Sequence, residues 1–410
     1  LWHAAVNSRG EYFSVKDPKQ LADSVKSILS TATGDDKPTA GVATASTTLT
    51  TTNYKYVPEF QTQGWSGDVK AYALSGVLAD SVVRWSAAAK MPALWSSRNI
   101  VTWDTGLATP AGVAFDWSTL SAGNQVALGT VAATHTTLFT DFLRGRHDNE
   151  KTIANPTEPF RNRIDKNNQP FVLGDFMNAN PVAVLDSFDG LYGSLSLGTT
   201  GSSTNPSYPE FMTAKRGRTS VLFAGSNDGM LHGFKDSRLS TAAADDGKEV
   251  FAYVPRAVYS NLYKLTEHAY GTTTSPHQYF VDGPLREADA YVKAPGASSA
   301  SWRNYLFGTL GAGGRAVFAL DVTDLAGLGA NSVRWEFSEA NDSDLGYVLS
   351  PIKVGVLDNG RWVAIFGNGF SSTSGKSVLF VVDLDKAADN DASAVQKLVV
   401  DSSGSNGLGG

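Results

Sequence analysis

The side chains best able to do chemistry in this sequence are aspartates set in turns and histidines scattered singly between them. Asp228, Asp282 and Asp321 come first, because paired carboxylates drive glycoside hydrolysis. All three fall at hairpin turns or strand ends, where an Asp carboxylate accepts from nearby backbone N–H groups. That local role is the reading the pattern favours. His232, beside one such turn, reads as a packed histidine rather than a ligand, and the six histidines include no i, i+4 pair for a metal. No G-x-S-x-G elbow occurs, while a Ser-His-Asp triad stays open because its members can be far apart in sequence. The chain has no cysteine, so disulfides, Cys-ligated zinc, iron–sulfur clusters and thiol catalysis drop out together.

Calcium would need several oxygen ligands converging from a short loop, usually alternating Asp or Asn with a Gly at the sharp turn. Asp383, Asp385, Asp389 and Asp391 come nearest to that pattern. They lack the Gly and straddle an Ala-rich stretch, so a solvated connecting loop is the preferred reading. Asn341-Asp342-Ser343-Asp344 is likewise acidic and turn-like, with a capping or Asx-turn role expected.

The elements that position these groups are hairpins. Residues 221–225 lead into Asn227-Asp228-Gly229, and residues 230–234 follow. The same shape returns at 304–308, where the turn is Gly311-Ala312-Gly313-Gly314 and residues 316–321 follow. It returns again at 362–367, with Asn368-Gly369 and a Ser-rich extension before 377–383. Each copy is an apolar strand, a turn built for positive φ, and a second apolar strand. Repeated small sheets that cannot bury their faces alone point to a radial array, so the fold class expected is mostly β: a β-propeller with irregular blades and loop or helix insertions. Residues 249–254 and 332–337 fit as outer strands, and Trp65-Ser66-Gly67-Asp68 reads as a turn leading into a strand over 69–74. Most of the nine Trp are expected to wedge between blades.

Composition agrees with short strands and tight turns: 40 Gly, 10% aromatic residues and only 18% charged residues. The net charge of −6 disfavours a nucleic-acid partner. Lys215-Arg216-Gly217-Arg218, the densest basic cluster, reads as a solvated loop. No apolar run reaches the roughly 18 residues that span a bilayer, and no signal peptide is visible. An amphipathic helix is expected from Asp17 and Pro18 through Leu29, and a second over Thr136 to Arg144. Residues 1–35 are read as the tail of a preceding domain, and 36–410 as a propeller truncated at its C-terminal end. The opening Leu1-Trp2-His3, without an initiator Met, suggests an internal fragment.

Ordered segments along the chain carry a resemblance. They include Trp65-Ser66-Gly67-Asp68, Arg98-Asn99-Ile100, Phe142-Leu143-Arg144-Gly145, Leu173-Gly174-Asp175, Tyr253-Val254-Pro255-Arg256 and Tyr279-Phe280-Val281-Asp282-Gly283. In this order, with the hairpins, they resemble the PilC/PilY family of type IV pilus tip-associated adhesins and biogenesis factors. The resemblance implies that 1–35 closes a von Willebrand A-like domain. It implies an exported, non-enzymatic protein at the pilus tip or cell surface, bound to minor pilins and meeting a host-cell or abiotic surface. It also implies Ca2+ in an Asp-rich loop that normally follows the Asn-Gly-Leu seen here as Asn406-Gly407-Leu408, placing that site outside this fragment. The alternative is a propeller enzyme such as a quinoprotein dehydrogenase, whose common vicinal Cys disulfide the cysteine-free sequence cannot form. A sialidase-like hydrolase is weaker, because Ser226-Asn227-Asp228-Gly229 places its Gly one position too early for the S-x-D-x-G box.

Overall fold

Strands with apolar residues at consecutive positions must bury both faces, and the fold meets that demand by stacking sheets. The computed structural model describes residues 43–44, 54–73, 82–129, 136–178, 180–184, 188–238 and 242–403. The chain divides into Leu1–Pro38 and Thr39–Gly410, and every described residue belongs to the second unit. The helix expected after Asp17 and the domain tail 1–35 lie outside the described residues.

The first sheet is β1 (Ala43–Thr44), β2 (Tyr54–Gln61), β3 (Ser66–Ala73) and β4 (Val83–Ser86), paired in chain order. The second contains β5 (Ile100–Asp104), β6 (Ala111–Ala114), β7 (Val182–Val184), β8 (Ser220–Gly225), β9 (Leu231–Asp236) and β10 (Glu249–Val254). Its order is β6-β5-β10-β9-β8-β7, so an antiparallel meander is extended by a hairpin that joins β10 in parallel. The third is β11 (Leu285–Lys293), β12 (Ala300–Thr309), β13 (Ala316–Asp321) and β14 (Val333–Ser338). The fourth is β15 (Lys353–Val356), β16 (Trp362–Gly367), β17 (Ser377–Asp383) and β18 (Val395–Asp401). All three hairpins read from turn chemistry are present, as β8–β9, β12–β13 and β16–β17.

Alternation along each strand sends side chains to two different cores. On β8, Leu222 and Ala224 join Tyr54, Tyr56 and Val69 of the first sheet, while Val221 and Phe223 join Leu306 and Phe318 of the third. On β12, Tyr305 and Phe307 turn the other way, into a core with Ala364, Phe366 and Phe380 of the fourth sheet. Consecutive sheets therefore pack face to face in chain order, which is the blade arrangement of a β-propeller. Trp302 and Trp362 meet edge to face at 5.6 Å between the third and fourth sheets, in the wedge role expected of them.

Three local readings need correction. Residues 249–254 form β10, but the β5–β6 hairpin lies outside it, so β10 is an interior strand. Ser66 already belongs to β3, because Ser66 to Asp68 pair with Gln61 to Glu59; the turn lies before it and leaves Trp65 at φ 56°. Lys215 and Arg216 are not in a solvated loop. They end a helix, Tyr208–Arg216, and Lys215 is 2% exposed. Its start was legible as Ser207-Tyr208-Pro209-Glu210, in which Glu210 accepts from the Ser207 backbone N–H at 3.0 Å. Tyr208, Phe211, Met212 and Lys215 share its buried face, and a Lys at the last of these positions masked the period. The helix expected at 136–144 is found as Thr136–Leu143.

Two turn glycines are fixed by geometry. Gly369 sits at φ +75°, and a Cβ there would overlap the Tyr347 carbonyl; at Gly313 it would overlap the Phe280 carbonyl. Gly369→Ala should destabilise the protein by more than about 1 kcal/mol in urea unfolding. Gly355→Ala, whose added Cβ meets nothing within 4 Å, should stay within about 0.5 kcal/mol of wild type.

Candidate functional site

The Asn227-Asp228-Gly229 turn feeds a chain of charges that runs through the middle of the second sheet. Asp228 accepts from the Gly174 N–H at 2.9 Å and the Met230 N–H at 3.2 Å. His232 Nε2 lies 3.1 Å from both Asp228 oxygens, and its Nδ1 lies 2.7 Å from Glu249 Oε1. Arg98 closes the chain, donating to the two Glu249 oxygens at 2.6 and 2.7 Å. Arg98 also donates to the Arg144 carbonyl at 2.8 Å, and Arg144 in turn donates to the Phe115 carbonyl at 2.8 Å. Strand register brings these groups together: on the β9–β10 ladder Glu249 pairs with Phe234, two residues along from His232, so the two side chains meet diagonally.

Two carboxylates and two cations make the chain neutral, which is the condition for burying it. Burial alone would lower the His232 imidazolium, but Asp228, and then Glu249, outweigh it and raise the pKa to about 9. Burial would raise Glu249, but Arg98 and His232 hold it down at about 2. His232 is therefore an imidazolium at neutral pH, committed on both ring nitrogens. It is buried as the sequence suggested, though as a charge rather than a plain packing group.

A second cluster abuts the first. Asp175 accepts from Asn227 Nδ2 at 2.7 Å and pairs with His277 Nε2 at 2.8 Å. Asn227 Oδ1 accepts from the Phe280 N–H at 3.0 Å, and Asp282 accepts from Asn178 Nδ2 at 2.7 Å. Burial chiefly pushes Asp282 up, to about 6. The indole of Trp65 stacks on His277 with centroids 3.8 Å apart. Between the clusters lies a cavity of about 20 Å³ lined by Trp65, Arg161, Arg163, Asp175, Asp228 and Tyr270. That is room for one water, not for a sugar or a cofactor.

The candidate acids do not come together. Asp228 and Asp282 belong to these two clusters, whereas Asp321 lies on the third sheet, paired with Arg303 and Arg334. Nor does the Asp-rich stretch converge on a calcium geometry. Asp383 caps Leu384–Ala388 through the Lys386 N–H, Asp385 accepts from the Lys293 N–H, Asp391 accepts from the Ser393 N–H, and Asp389 is exposed. The four do not fit a calcium site, and among the described residues no group of three or more His, Asp or Glu could hold a metal ion. Of the other turn residues, Asn368 bridges the Asp344 and Lys376 carbonyls, while Gly311, Gly313 and Gly314 carry the turn before β13.

The model of the PilY1 beta-propeller domain matches residues 173–410. The chain belongs to the PilY1 family. It is 34% identical over 406 residues to the type IV pilus biogenesis factor PilY1 of Pseudomonas aeruginosa strain PAK, covering 95% of this chain and 32% of that protein. A PilY1 homolog of Xylella fastidiosa is 32% identical over 444 residues, covering 94% of this chain and 27% of its own. The chain thus spans between about a quarter and a third of the length of these relatives. The crystal structure of the P. aeruginosa PilY1 C-terminal domain aligns with 53% of this chain and 36% of that one, at 31% identity and a TM-score of 0.38.

In this PilY1-family chain Tyr253 and Arg256 reach Glu336 and Asn124, while several other segments that carried the resemblance meet at the two clusters. Arg98, Arg144, Gly174, Asp175, Asp228 and Asp282 all come from them, and Trp65 flanks them. Sequence reasoning missed Glu249 and His277, the partners that complete the charges. Glu249 was visible as an acid opening an otherwise apolar strand.

His232 has a raised pKa, so its contribution to stability is complete below its ordinary value of 6.5 and is lost as pH rises through about 9. Glu249 has a depressed one, so its contribution is complete above 4.5 and is lost as pH falls toward about 2. His232→Gln should cost about 3–5 kcal/mol in urea unfolding near pH 6. The gap from wild type should shrink as the same titration is repeated at pH values above about 9.

Proposed function

We propose that the chain is the propeller-bearing part of an exported type IV pilus biogenesis factor, acting at the pilus tip as a non-enzymatic binding and assembly module. The observation that carries this reading is the similarity over 95% of the chain to a protein named for pilus biogenesis. The commitment of the central carboxylates supports it: Asp228 and Glu249 are held by fixed cationic partners, and Asp175 by Asn227 and His277, so each serves the fold. The partners proposed are minor pilins, with a host-cell or abiotic surface as the second contact. Such a module would support pilus assembly or oppose retraction. The calcium that the resemblance implies is proposed for a loop outside the described residues. Among the described residues no helix is long and apolar enough to cross a membrane.

Deleting the parent gene should strip pili from the cell surface, and affinity-tagged parent protein should co-purify with minor pilins. Unchanged piliation together with no pilin in the eluate would overturn the reading. A quinone absorbance band in the purified protein would favour the oxidoreductase alternative instead.

A further inference from the structure

Outside the central clusters, the most unusual chemistry lies between the helix Tyr208–Arg216 and β11. Lys215 Nζ, on a side chain 1% exposed, sits 2.9 and 3.0 Å from the two oxygens of Asp289, whose side chain is 0% exposed. Glu287, two residues away on the same face of β11, is 3.5 Å from the same nitrogen. Asn304, paired with Asp289 across β11 and β12, donates through Nδ2 to Asp289 Oδ1 at 2.8 Å and to Glu287 Oε1 at 3.0 Å. Arg218 fixes that amide by donating to Asn304 Oδ1 at 3.1 Å. Tyr208 donates its hydroxyl to Asp289 Oδ2 at 2.9 Å, while its oxygen is occupied by the Gly190 N–H at 2.7 Å. Aromatic walls close the site: Lys215 Nζ lies 5.3 Å from the Phe188 ring centre and 5.7 Å from that of Phe211.

A buried amine, a carboxyl group as electrophile, donors on both carboxyl oxygens and a second acid beside the nitrogen are the parts an amide-forming reaction needs. We propose that Lys215 and Asp289 condense spontaneously into an intramolecular isopeptide bond, a covalent staple between the helix Tyr208–Arg216 and β11. Burial chiefly pushes Glu287 up to about 7 and Asp289 up as well, so the pair of acids holds a proton near neutrality.

The step balances within the cluster. One ammonium proton passes from Lys215 to Asp289, which neutralises a desolvated pair without changing the number of protons held. The Nζ lone pair adds to Asp289 Cγ, and the carbonyl π pair moves onto the oxygen, where Tyr208 or Asn304 stabilises it. Nζ then gives a proton to one Glu287 oxygen while Glu287 gives its own to the departing hydroxyl. The Cγ–O bond breaks, and water leaves. An amine and a carboxylic acid have become an amide and one water; Glu287 ends protonated as it began, and nothing is oxidised or reduced. Lys215 is the nucleophile, Glu287 the proton shuttle, and Asn304 and Tyr208 the stabilisers of the oxyanion.

Intact mass of the folded recombinant chain under denaturing conditions tests this directly. The expected result is a mass lower than the sequence requires by one water, with a branched proteolytic peptide joining Lys215 to Asp289. Lys215→Arg and Glu287→Gln should each restore the full mass while keeping a native β-sheet circular dichroism spectrum. A full-mass wild-type protein with that native spectrum would overturn the proposal. So would a water loss that maps to a succinimide at an Asp-Gly pair such as Asp189-Gly190, or a Glu287→Gln protein linked as completely as wild type.

Discussion

The line of charge from Asp228 through His232 and Glu249 to Arg98 is the interaction on which the rest of this half of the fold depends. Its members come from the approach to β5, a β-turn, β9 and the first residue of β10, and its ends take backbone donors or acceptors from residues 174 and 144. No single strand or loop could be removed without stranding a charge in a dry interior, and a lone buried charge costs several kcal/mol. The chain of pairs therefore makes the long excursion between β6 and β7 part of the second sheet's interior rather than an appendage.

The sheets themselves obey a simpler rule. Strands in the interior sheets carry apolar residues at successive positions, so each sheet needs a neighbour on both sides. The cores around Phe234, Phe318 and Phe380 supply them in chain order. Polar clusters lie where apolar packing gives way: Asp228 at a turn, Asp289 and Asn304 in the middle of a sheet. In each, the number of acids and bases is nearly matched, and the hydrogen-bonding capacity is used internally.

The hairpins were legible because turns announce themselves: Asn-Asp-Gly and Asn-Gly permit backbone angles that few other pairs tolerate. What lay between them was harder to read. In β11, Arg286, Glu287 and Asp289 interrupt the apolar pattern, although Ala288, Ala290 and Val292 keep the alternation into the core. Lys215 misled for the same reason: a charged side chain reads as solvated until its partner is known, and Asp289 is distant in sequence. In the Asp-rich stretch at 383–391, Asp383 and Asp391 are helix caps, which obey the same preference for turns and helix starts that a metal loop exploits. His232 was recognised as packed but not as charged, since only the fold aims the Asp228 carboxylate at its Nε2 and brings Glu249 to its Nδ1.

Several of the segments that carried the family resemblance supply residues to the clusters, among them Arg98, Asp175 and Asp228. Joined end to end, these contacts form one cooperative unit. Native-state hydrogen exchange of wild type and Arg98→Met, resolved by peptide, tests it most directly. Protection should fall together in β8, β9, β10 and residues 173–175. Loss confined to the peptides around residue 98 would contradict it.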